Sequence, residues 1–177
     1  MPYIGNNHVV GDHTSNFKVL DDISSHTATF DGSASAVVST SDETIRVANH
    51  RFVQGQRVTY NNGGGGNIGG LTSGTAYYVI FNTTHTIKLA TSLTNANNLN
   101  AINLSSVGSG TSHTLTVAFD GTNTKFKATH TNGTKSKISS PAQLSLSVNG
   151  VIQNPAVDYS IESDSTIVFS TALVATD

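Results

Sequence analysis

Between Gln143 and Val151 the chain reads Gln-Leu-Ser-Leu-Ser-Val-Asn-Gly-Val, and no other stretch limits the fold as sharply. Leu144, Leu146 and Val148 alternate with Ser145 and Ser147, the period of a strand with one buried face. Asn149-Gly150 then stands between Val148 and Val151. Both central residues of a type I′ turn need positive φ, which Asn and Gly tolerate. A β-hairpin is predicted there. A two-stranded ribbon is marginal in water, so more sheet must surround it.

The rest of the chain supplies that sheet. Short strand patterns occupy Ala34 to Thr40 and Thr44 to Ala48, around Ser41-Asp42. Gly55 is placed for a turn between two strand-like pieces, and a glycine-rich loop runs from Asn61 to Gly70. Ala76 to Phe81 and Thr86 to Ala90 pair plausibly across residues 82–85. Further strands are expected at Ile102 to Leu104, in the run closing at Phe119, and over Lys125 to His130, Asp158 to Ile161 and Thr166 to Phe169. Only residues 92–101, with Leu93, Ala96 and Leu99, suit a short helix.

The predicted class is all-β: small antiparallel β-sandwich-type modules with an extended amino-terminal arm. Residues 1–26 form that arm. Its apolar residues Tyr3, Ile4, Val9, Val10 and Phe17 follow no period of 2 or 3.6. Such an arm either frays or docks on a neighbour.

The phrase Ala28-Thr29-Phe30-Asp31-Gly32-Ser33 returns as Ala118-Phe119-Asp120-Gly121-Thr122. That echo divides the chain into a host module, residues 27–33 plus 118–177, interrupted by an inserted module over 34–117. The division carries a structural demand: strand 27–30 must lie beside strand 124–130. In separate sheets the echo is only a repeat.

Composition removes several function classes. Charged residues are 11% and the net charge is -2, which offers no electrostatic case for nucleic acid or an anionic membrane. Cysteine is absent, so neither disulfides nor thiolate metal sites hold the fold. No apolar run approaches the ~20 residues of a membrane helix, and the amino end does not read as a signal peptide. A protein made in a reducing cytoplasm, without membrane insertion, is expected. Small polar β-modules gain stability by oligomerising.

Catalytic motifs are not found, and no enzyme activity, cofactor or metal is expected. Gly64, Gly66 and Gly69 spell G-x-G-x-x-G, but a strand pattern follows where a dinucleotide site needs a helix. Seven histidines (His8, His13, His26, His50, His85, His113 and His130) show no ligand-like spacing. Asp158, Glu162 and Asp164 suit turns better than calcium.

Two stretches resemble a known family. The first is His50-Arg51-Phe52 with Gly55, Val58 and Tyr60, then Gly69 to Thr75, Tyr77 to Ile80, Thr86 to Ala90 and His113 to Val117. It resembles a β-module of bacteriophage tail fibres and other large virion or adhesin-like proteins. The second is Leu144 to Pro155 with Asp158-Tyr159, Thr166 to Phe169 and Ala172-Leu173. It is similar to a module of phage tail-fibre and appendage proteins, especially of marine and cyanobacterial phages. Pro2-Tyr3-Ile4-Gly5 is similar to the start of many such proteins.

The resemblance implies a virion structural protein of the tail, without enzyme activity: the amino-terminal part of a tail fibre supporting host attachment. Tyr3, Ile4, Val9, Val10 and Phe17 would dock on a tail adaptor or nozzle protein, and the chain would be a homotrimer. The family's last strand after Ala172-Leu173 is missing, so a longer polypeptide is expected. Two alternatives remain open. One is a capsid decoration or neck appendage protein. The other is a carbohydrate-binding module in which Tyr60, Tyr77 and Tyr78 stack on a host surface glycan.

Overall fold

Alternating strand patterns become two sheets and a hairpin in the computed structural model, which describes residues 26–128 and 137–174. The larger sheet has seven strands: β1 (His26–Phe30), β2 (Val38–Ser39), β3 (Thr44–Arg46), β4 (Arg57–Asn61), β5 (Ala76–Thr83), β6 (Thr86–Ala90) and β7 (His113–Val117). Their order is β1-β7-β4-β5-β6-β3-β2, with every pairing antiparallel. A smaller sheet takes β8 (Lys125–Lys127), β11 (Tyr159–Glu162) and β12 (Thr166–Phe169) in the order β11-β12-β8. Strands β9 (Ser147–Val148) and β10 (Val151–Ile152) form the predicted hairpin. Asn149 and Gly150 have φ of 50° and 80°, as the turn requires. The class is all-β, as expected.

One face of each sheet meets the other in a shared core. The seven-stranded sheet contributes Phe30, Leu115, Val117, Val58, Tyr60, Tyr77, Val79, Ile87 and Leu89. The smaller sheet contributes Phe126, Tyr159, Ile167 and Phe169. Leu144, Leu146 and Val148 pack against this core from the hairpin side, so the alternation read in the sequence does set the buried face. On the opposite face of the large sheet the short helix α1 (Leu93–Asn97) lays Ala96 over Ile80 and Ala90. Ser92 caps it, its Oγ accepting the Asn95 N–H at 3.1 Å.

The strand pairing that the insertion account asks for is absent among the described residues. Strand β1 pairs with β7, setting Phe30 opposite His113, whereas β8 pairs with β12 in the other sheet. Residues 27–30 thus belong with 113–117. The physical reason is local. Phe30 enters the main core alongside β7, while residues 118–124 turn away toward the smaller sheet. The echo marks two copies of one turn. The Asp31 carboxylate accepts the Ser33 N–H at 2.9 Å, and that of Asp120 accepts the Thr122 N–H at 2.9 Å. An Asp that bonds the backbone two residues on makes such a turn without any larger homology.

Local details also differ from the sequence reading. Ile102 to Leu104 carry no strand, although Leu104 is buried. Ala34 to Thr40 shrinks to Val38–Ser39. A 3-10 turn at Pro141–Gln143 precedes the hairpin, because Ser140 and Gln143 close a capping box with Pro at the first position.

Candidate functional site

Three polar constellations concentrate the chemistry of the described residues, and each is satisfied by the chain's own hydrogen bonds. In the first, His113 opens β7 on the face that carries Leu115 and Val117 and is fully buried. Its Nδ1 stands 2.8 Å from the Tyr60 hydroxyl, and its Nε2 lies 3.1 Å from the Ser109 carbonyl. A carbonyl can only accept, so Nε2 carries the proton and Nδ1 accepts from Tyr60. The Tyr60 oxygen in turn accepts the Ile68 N–H at 3.1 Å. Burial raises the Tyr60 pKa above its ordinary value. This relay runs from the buried Ile68 N–H to the exposed Ser109; its effect is to pin residues 68 and 109 to the sheet.

The second is the glycine-rich loop. Gly63 and Gly64 donate their N–H groups to the side chains of Asn61 and Asn62. Gly65 donates to the Asn62 carbonyl, Gly66 to Ser109 and Gly69 to the Ser106 carbonyl. A phosphate cradle needs such N–H groups aimed at a ligand. Here they hold residues 62–69 against 106–109, and β5 follows rather than a helix.

The third joins the two sheets. Gln56 Nε2 donates to the Lys125 carbonyl at 2.8 Å, while Gln56 Oε1 accepts the Val53 N–H at 3.1 Å. Asn123 Nδ2 donates to the Arg57 carbonyl at 3.0 Å, and the Arg57 guanidinium pairs with Asp120. The chain end returns here too, with Val174 bridging Asp120 and the Gly121 N–H donating to Leu173. Sequence reasoning missed this clasp. Its only trace is a polar Gln56 directly after the Gly55 turn, and its partners lie more than sixty residues away.

The residues singled out from sequence scatter. Tyr3, Ile4, Val9, Val10 and Phe17 lie outside the described residues, as do His8, His13 and His130. His50 and His26 both stack on Phe52, and exposed His85 accepts the Asn49 N–H. Among the described residues no group of three His, Cys, Asp or Glu side chains could hold a metal ion. Asp158 accepts the Asn154 N–H at 2.7 Å, and Glu162 pairs with Lys125. Tyr60 and Tyr77 are buried in the core, whereas Tyr78 is half-buried on the opposite face beside α1. Among the described residues no helix is long and apolar enough to cross a membrane.

Comparison with protein-family models, with curated proteins and with solved structures finds no match to this chain.

Proposed function

We propose that the chain is a virion structural protein, the amino-terminal part of a tail fibre that fastens the fibre to a phage tail and begins its stalk. The observation that carries this reading is the two-part resemblance of residues 50–117 and 144–173 to phage fibre modules. The form of the molecule is compatible with it. Polar groups are spent on internal clasps, and β-structure links loops that are hydrogen-bonded to one another. Three copies about a common axis would cover one another's sheet edges. Placement of the same modules on a capsid or neck is the second form of this reading. Sugar stacking is less supported, since of the three tyrosines only Tyr78 reaches the surface.

The test is incorporation. Purified particles should contain the chain by mass spectrometry, in multiples of three per tail. Deleting residues 1–17 should remove it from particles while leaving the circular dichroism of the purified protein unchanged. Normal incorporation of the truncated chain would overturn the docking role, and absence of the full chain from particles would overturn the whole reading.

A further inference from the structure

Strand β1 is an edge strand, hydrogen-bonded only to β7 among the described residues. Its first residue, His26, stands opposite Val117 and stacks its ring on Phe52, centroid to centroid 5.1 Å at 29°. The Nε2 atom is sealed from solvent and has no hydrogen-bond partner among the described residues. A buried imidazole nitrogen tolerates that only while the ring is neutral, because a charge there would have neither water nor an acceptor. The titratable and charged groups that bear on it are Arg51 and His50, both from the β3–β4 connection. On the β7 side its register partner, Val117, is apolar. We propose that His26 is an acid-operated latch: neutral, it closes β1 over Phe52, and protonated beside Arg51 it releases the start of β1 from the sheet.

Burial first, then Arg51 and His50, lowers the His26 pKa from 6.5 to about 4. The closed form therefore binds the proton later than the open one. Closure is at full strength above pH 6.5, weakens as pH falls below it, and reaches its floor below pH 4. Opening should increase roughly a hundredfold between pH 6.5 and pH 4.5, at about ten per pH unit.

The test is amide hydrogen exchange across β1 on the full chain at pH 7 and pH 4.5, corrected for intrinsic rates. A concurrent NMR titration should find the His26 ring midpoint near 4. Amides of Ala28 and Phe30 should lose protection in acid while those of β5 and β6 keep theirs. His26→Phe, which retains the stack, and His26→Gln should both abolish the acid response. A ring midpoint near 6.5, equal acid opening in both variants, or loss of β5 and β6 protection in step with β1 would each overturn the latch.

Discussion

At the scale of single residues, stability is concentrated where a buried polar side chain meets two fixed partners. Tyr60→Phe removes a donor to His113 and an acceptor for Ile68. Leaving those groups unsatisfied should cost about 1–3 kcal/mol in urea unfolding. The same substitution should reduce an alkaline sensitivity. The unfolded tyrosine ionises at 10, below the folded one, so stability falls as pH rises past 10. The variant should lose Tyr60's share of that fall while keeping that of Tyr159, whose pKa burial also raises. Gly32 is bound to the same site, because a Cβ there would lie 2.4 Å from the His113 ring. The ring is held at both nitrogens and cannot yield. Gly32→Ala should cost about 1–3 kcal/mol by overpacking, read in the same assay. His113 shares the inward face of β7 with Leu115 and Val117, a position that its place among seven scattered histidines did not convey. Its partner was not legible either, since Tyr60 lies 53 residues away and nothing local links the two.

At the scale of elements, local chemistry was read well and tertiary choice poorly. The Asn149-Gly150 hairpin, the Gly55 turn (φ 73°) and the β5–β6 pairing follow from residues that decide their own backbone. Helix α1 is also local, and Ser92→Ala should cost about 1 kcal/mol as a lost cap, measured by thermal unfolding. Gly150→Val forces a β-branched residue into positive φ. It should fray β9 and β10 in amide exchange while leaving β4 to β6 protected. What composition could not show is which strand takes the edge of β7. A strand of Thr and Ala at 27–29 would suit either sheet, and the repeated Phe-Asp-Gly phrase pointed to the wrong one. That phrase encodes a turn, and a turn says nothing of what the flanking strand pairs with.

At the scale of the molecule, the two sheets share one core and are clasped by Gln56, Arg57, Asp120 and Asn123. The Arg57–Asp120 pair of the clasp is partly exposed and contributes ~0–1 kcal/mol, so the clasp rests on the buried amides. Asn123→Leu should cost about 1–3 kcal/mol by orphaning the Arg57 carbonyl, and should split a single thermal transition into two by calorimetry. A transition that stays single and unshifted would show that the core alone couples the sheets. Position on a particle is the remaining question at this scale, and it bears directly on the proposed role. Electron cryo-microscopy of virions carrying this chain should place residues 26–174 at the base of a tail fibre, three copies around its axis, with residues 1–17 against a tail protein. Density for the chain on the capsid, or particles that lack it altogether, would contradict the account.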